Sequence, residues 1–392
     1  MSGDGINTQL KTFLGATWQS PVFGDTFPGE DNSQRLAWAE AQLGAIAKAV
    51  AAELAGIIAE GMPELSQDEV QHIVKTEIIP KTLAFCPALT IGEIDDIPRL
   101  SAVSTAVCVM YWGDQTMDRG DTTMAEAIAL LGKKKPGTVS KLAQARFQGL
   151  QHIQAKIEEL AKPEDTALVT DCFYGQVLHN EEVMHQLSLA YLKTGKDQAF
   201  LQEHSTQLAE ISTVSAGFPS ISSSLYAIYR QHDASLLPLS AIYGNTAMTN
   251  LLQTCNVVVR LWDELGDWEM DSGYDPSKGQ FVINPFNQYD PAIVQRFCEL
   301  AFIIKPTEVA ALQQAFSEFH TSDATRHQHG AYILDALRTH IRQYMAATIA
   351  DLPPADYKAF ERYIILCKRV LEIGYVNRIG DIALATPDRS TL

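Results

Sequence analysis

Asp263, Asp267 and Asp271 recur at steps of four in the stretch Arg260-Leu261-Trp262-Asp263-Glu264-Leu265-Gly266-Asp267-Trp268-Glu269-Met270-Asp271. On an α-helix, residues four apart share a face and lie about 6 Å apart along the axis, so the three carboxylates would form one row about 12 Å long. Like charges at that spacing repel by about 0.2–0.5 kcal/mol per exposed pair. The repulsion grows when the pair is shielded from water. Val257, Val258, Val259, Leu261 and Trp262 make the preceding run apolar, so the row does not belong to an ordinary solvated face. A cation is the natural way to offset it.

A second acidic cluster repeats the step. Tyr111-Trp112-Gly113-Asp114-Gln115-Thr116-Met117-Asp118 follows an apolar run from Ala102 to Trp112. Two hydrophobic helices that each end in carboxylates suggest opposing walls at the mouth of a pocket, with divalent ions between the acids and an anionic ligand. Alternatives stay open at this level. Gly120 and Asp121 would also suit a solvated helix end at Asp114 and Asp118, and Trp112 and Trp262 fit core packing as well as a pocket wall.

Carboxylates without Cys or His partners favour hard cations, Mg²⁺ before Mn²⁺. Such ions stabilise charge developing on a leaving diphosphate. The walls beside both clusters are aromatic: Tyr111, Trp112, Trp262, Trp268 and, further along, Phe218. Each ring face can stabilise a carbocation by about 0.5–2 kcal/mol. A dry aromatic cup beneath a metal–diphosphate cap suits ionisation of an allylic diphosphate.

On these motifs the whole chain resembles the class I terpene synthases (terpene cyclases) and, more narrowly, the fungal-type sesquiterpene cyclases. The family's Asp-Asp-x-x-Asp run reads Asp114-Gln115-Thr116-Met117-Asp118, with Gln in second place. Its (Asn/Asp)-Asp-x-x-(Ser/Thr)-x-x-x-Glu motif reads Asp263-Glu264-Leu265-Gly266-Asp267-Trp268-Glu269-Met270-Asp271, acidic at all three ligand positions. The resemblance implies a single helical-bundle domain with a central active-site cavity. It implies Asp114 and Asp118 as ligands of two of three Mg²⁺ ions, with Asp263, Asp267 and Asp271 holding the third. It also implies a C-terminal arginine on the diphosphate. Arg362-Tyr363 matches the family's Arg-Tyr pair literally, but Arg378 sits better relative to the chain end and is preferred. The family's diphosphate-sensing arginine before its broken helix is missing from 210–214, and Arg230, Arg260 or Lys278 could replace it. The substrate implied is an acyclic prenyl diphosphate, farnesyl diphosphate first. A squalene/phytoene-synthase-like or chain-elongating prenyltransferase is the nearest alternative, since Asp263 and Asp267 also fit an Asp-x-x-x-Asp pair. A non-enzymatic helical binding protein is the bland one.

The elements that must position these residues are helical. Residues 1–32, rich in Gly, Ser, Asp and Pro, read as an irregular arm, and 33–392 as a single all-α domain. Asp31-Asn32-Ser33 can cap a helix to about Gly61, and Ser66 with Glu69 forms a capping box for a helix to about Ile79. Helical periodicity continues over about 94–119, 122–131, 139–160, 164–193 and 197–214. Ala216-Gly217-Phe218-Pro219 breaks the pattern. A helix follows over 222–232, then a long one from beyond Pro238 to Asp271, then a mobile loop over 272–290. The last helices span about 291–304, 307–319, 323–350 and 354–380. No alternating strand pattern of useful length appears.

Composition limits the partners. The 392 residues are 46% hydrophobic with a net charge of −17, which disfavours nucleic acid and anionic membrane surfaces. No run of about 18 apolar residues suggests a membrane span. Six dispersed cysteines without metal spacing, and no basic N-terminal leader, point to a reduced, cytoplasmic protein. A small-molecule ligand is the expected partner, with a homodimer also compatible.

Overall fold

The computed structural model describes residues 32–78, 158–172, 186–194, 198–215, 218–273 and 326–384, with isolated positions between them that include Ile283 and Asn284. Regular structure among the described residues is helical throughout, with no strand. The elements are α1 (Asn32–Gly61), α2 (Gln67–His72) continuing as a π-helical stretch (Ile73–Ile78), α3 (Pro163–Asp171), α4 (Gln198–Ser215), α5 (Phe218–His232), α6 (Leu239–Tyr243), α7 (Thr246–Ser272), α8 (Arg326–Asp351) and α9 (Pro354–Leu384). The fold class is all-α, as the helical periodicity predicts.

The chain gathers into two compact units. One comprises 1–175, 220–241 and 360–373; the other comprises 176–219, 242–359 and 374–392.

In the first unit, α1 buries Ile46, Val50, Leu54, Ile57 and Ile58, a stripe at helical spacing. The capping box forms as read. The Glu69 amide donates to Ser66 Oγ at 3.3 Å, and the Ser66 amide donates to Glu69 Oε2 at 2.8 Å. Hydrogen bonds from Ser66 hold the Glu69 carboxyl below the usual carboxylate range. Residues 222–230 of α5 are buried without a break, so this stretch of the helix is enclosed on every side. Tyr363 of α9 is fully buried; its hydroxyl lies 3.2 Å from Ser222 Oγ, and its ring meets Tyr226 edge-on with centroids 5.2 Å apart.

In the second unit, α7 packs against α4 and α8. The long helix expected from Pro238 instead divides. α6 ends at Tyr243, and α7 restarts where Asn245 caps it: Asn245 Oδ1 accepts from the Met248 amide at 3.1 Å. Gly244 between them, a poor helix former, marks the break. Cys108, Cys172, Cys255 and Cys367 are buried and unbridged. Among the described residues no helix is long and apolar enough to cross a membrane.

Candidate functional site

The acid row lies on the C-terminal half of α7. Val257, Val258, Leu261, Trp262 and Leu265 are buried and anchor it. Asp263 and Asp267 are half-buried, whereas Asp271 is buried at 9% exposure. The three therefore share a face, as their spacing predicts, but not an environment.

Asn284 explains the difference. It is fully buried, and its side-chain amide donates to Asp271 Oδ2 at 2.8 Å and to the Glu264 carbonyl at 2.7 Å. Both neighbours are acceptors, which fixes the amide with its nitrogen toward α7. The adjoining Ile283 amide donates to Ser188 Oγ at 3.2 Å. Ile283 and Asn284, which fall in the segment expected to be a mobile loop over 272–290, are thus each hydrogen-bonded to the chain, and most of that segment lies outside the described residues. No local pattern in the sequence singles out Asn284, whose partners lie 13 and 20 residues earlier.

Two of the residues expected to meet substrate are engaged with the protein. Arg260 forms an ion pair one turn along α7 with Glu264, and both side chains are nearly buried. Arg230 donates from Nη1 to Asp165 Oδ2 at 2.5 Å, from Nη2 to Glu164 Oε1 at 2.9 Å, and from Nε to the Leu236 carbonyl at 3.1 Å. Asp165 is fully buried and also accepts from the Leu239 amide at 2.9 Å, at the start of α6. Arg230 is the centre of an internal polar tie, with each of its three nitrogens committed to protein acceptors. The Glu164 carboxyl is held below the usual range by its own backbone N–H and by Arg230.

The aromatic residues divide similarly. Trp262 keeps 1% of its surface exposed, so its ring is packed core; a wall of a cavity wide enough for an isoprenoid chain would show accessible surface. Trp268 is half-buried, edge-on to Phe319 with centroids 5.4 Å apart, and the Arg326 guanidinium lies 4.8 Å from its ring centroid. Arg362 places its guanidinium 5.6 Å from the Tyr229 ring centroid, consistent with a structural arginine. Phe218 opens α5, and Arg378 lies within α9, which runs past it to Leu384. Tyr111, Trp112, Asp114, Asp118 and Lys278 lie outside the described residues.

Among the described residues no group of three or more His, Cys, Asp or Glu converges closely enough to hold a metal ion. The oxygen-only donors of the row nonetheless suit Mg²⁺, which keeps several waters and binds proteins through one or two carboxylates plus substrate phosphates. The half-buried pair Asp263 and Asp267 meets that requirement without a third acid.

No family model matches the chain, and no curated protein matches it. Solved structures with a similar path include the SVS_A2 protein from ancestral sequence reconstruction, at 14% identity over 87% of this chain and 86% of that one, with a TM-score of 0.47. A point mutant of the same protein matches at 11% identity over 87% and 84%, with a TM-score of 0.46. A cucumene synthase variant matches at 12% identity over 87% and 96%, with a TM-score of 0.47. At these identities and scores the overlap assigns no chemistry to this chain.

Proposed function

We propose that the protein is a Mg²⁺-dependent terpene cyclase of the class I type, ionising an acyclic prenyl diphosphate, farnesyl diphosphate first, to a cyclic sesquiterpene and diphosphate. The observation that carries this reading is the half-buried pair Asp263 and Asp267 on α7, beside the buried Leu261, Trp262 and Leu265, in a sequence that carries a second acid pair at Asp114 and Asp118. Hard carboxylate oxygens set into apolar surroundings suit a cation shared with a polyphosphate. When bound, Mg²⁺ would supply Lewis-acid stabilisation of the departing diphosphate.

The chain's own residues divide the remaining tasks. Asp114 and Asp118, with Asp263, Asp267 and Asp271, bind and orient the cations. Arg378 donates to the diphosphate and draws it from the allylic carbon. Tyr111, Trp112 and Phe218 shape the apolar hollow, where ring faces stabilise positive charge and water is excluded. Arg230 and Arg260 are left out of this set, because their guanidinium groups are engaged with Asp165 and Glu164 and with Glu264. Trp262 supports α7 from within the core.

The test is a pair of variants, Asp114→Ala and Asp267→Ala, assayed for diphosphate release from farnesyl diphosphate. Each should lower release by a factor of about 100 or more, about 2.7 kcal/mol of transition-state stabilisation. Retained release in both would remove the acid motifs from the chemistry.

A further inference from the structure

Glu53 and His152 meet in the first unit, among residues that the proposed chemistry does not use. His152 Nε2 lies 2.7 Å from Glu53 Oε1, and Thr105 Oγ1 donates to Glu53 Oε2 at 3.0 Å. Glu53 stands on α1; Thr105 and His152 occupy helical positions 52 and 99 residues later. We propose that Glu53, His152 and Gln148 form a site for a first-row divalent transition ion, Zn²⁺ foremost, with Thr105 positioning the Glu53 carboxylate. The proposal is independent of the prenyl diphosphate reaction.

The first argument is geometry. Zn²⁺ takes imidazole nitrogen at about 2.0–2.1 Å and carboxylate oxygen at about 2.0–2.2 Å. Two such donors stand about 2.9 Å apart at a right angle and about 3.4 Å apart at the tetrahedral angle. Oε1 and Nε2, now 2.7 Å apart, therefore need to part by only about 0.2–0.7 Å to share one ion. In the present contact the carboxylate can only accept, so Nε2 carries the ring proton. With an ion between them that proton sits on Nδ1, and Nε2 donates its lone pair.

The second argument is the support around the pair. Thr105 is buried at 1% exposure, and its hydroxyl fixes one carboxylate oxygen while the other faces His152. Outer hydrogen bonds of this kind orient metal-binding carboxylates. Gln148 stands four residues before His152, on the same helical face, and its Oε1 is buried without a hydrogen-bond partner. A buried carbonyl oxygen in that condition is destabilising, and a cation relieves it. The third argument is access. The His152 and Glu53 side chains are 42% and 21% exposed, so an ion with its remaining waters can enter from solvent. The Lys156 ammonium, one turn beyond His152, lies 3.9 Å from Glu159 in an exposed pair, where solvent screens its repulsion.

The donor set decides the class of ion. Imidazole with carboxylate suits Zn²⁺ and its neighbours, whereas Mg²⁺ prefers oxygen alone. Only two of the donors are of the His, Cys, Asp or Glu types, so the site is not one of the three-residue clusters that the described residues lack.

The experiment uses the untagged full chain with Mg²⁺ in excess. Calorimetry follows Zn²⁺ binding, and Co²⁺ absorption reports the coordination. Zn²⁺ should bind saturably, one ion per chain, and should raise the urea midpoint. Glu53→Gln keeps an acceptor for Thr105 and should abolish both effects, as should His152→Gln, with helical circular dichroism unchanged. Gln148→Leu and Thr105→Val should each weaken binding by about tenfold or more. Absence of saturable Zn²⁺ binding by the unaltered protein would overturn the proposal, leaving an ordinary hydrogen-bonded tie. Undiminished binding in Glu53→Gln, His152→Gln or Gln148→Leu would overturn it as well. None of these measurements depends on prenyl diphosphate turnover, so the proposed function and this site fail separately.

Discussion

Replacing Arg230 with methionine separates a structural role from a substrate-binding one. The Arg230 side chain is 9% exposed and Asp165 is fully buried, with Nη1 and Oδ2 2.5 Å apart. Methionine removes the guanidinium and retains much of the apolar stem, so lost packing is small. Asp165 would then be a buried carboxylate left with the Leu239 amide at 2.9 Å. Removing one member of a buried pair costs about 3–5 kcal/mol, because the other charge stays uncompensated. Against a typical total stability of about 5–15 kcal/mol, that is about a fifth of the margin or more. The bond to Glu164 adds little, since that side chain is 53% exposed and solvent screens it. Urea unfolding followed by helical circular dichroism should therefore show a clear fall in midpoint for Arg230→Met and almost none for Glu164→Ala. Arg230→Met combined with Asp165→Leu should recover most of the loss, since an apolar pair avoids the desolvation of both charges. An unchanged midpoint in Arg230→Met together with lost diphosphate binding would refute the structural assignment and return Arg230 to the substrate.

Two further outcomes follow from the same packing. Trp262→Ala should destabilise by about 3–5 kcal/mol as a core deletion, while Trp262→Phe should leave the product distribution unchanged; altered products from Trp262→Phe, by gas chromatography, would make the ring a cavity wall. Burial pushes the Tyr226 phenol up to about 12, and it pushes Tyr363 up as well. The folded state thus binds these protons more tightly than the unfolded state does. Their contribution is fully present below about pH 10, the unfolded value, and is lost as pH rises through the folded value. Urea midpoints should fall between about pH 10 and pH 12, and Tyr226→Phe should flatten that fall; equal slopes in the two proteins would contradict the burial argument.

Local signals in the sequence are realised where the structure describes them. The capping box at Ser66 and Glu69 forms, α4, α8 and α9 begin within a few residues of their expected starts, and the three aspartates share a face of α7. These features depend on residues three or four apart, which periodicity reports directly. The restart of α7 was also present in Gly244-Asn245, a breaker followed by a capping residue, but the long apolar run hid it. What the sequence did not convey is long-range pairing. Arg230 looks like a spare cation until Asp165, 65 positions earlier, is brought against it. Trp262, beside an aspartate, resembles a pocket ring, although α7 turns it into the core. Asn284 carries no motif, and its meaning comes from the helix it folds back onto. The neighbouring Arg260 and Glu264 stand four apart, so their pairing could have been read from spacing alone.

The central claim is that the acids hold Mg²⁺ against a prenyl diphosphate whose carbon–oxygen bond then breaks. The most direct measurement is incubation of the purified protein with C10, C15 and C20 prenyl diphosphates, with Mg²⁺ and with a chelator, analysed for released diphosphate and for hydrocarbon or alcohol products. Cyclic products from the C15 substrate, formed with Mg²⁺ and abolished by the chelator, are the predicted result. No Mg²⁺-dependent diphosphate release from any of the three substrates would contradict it.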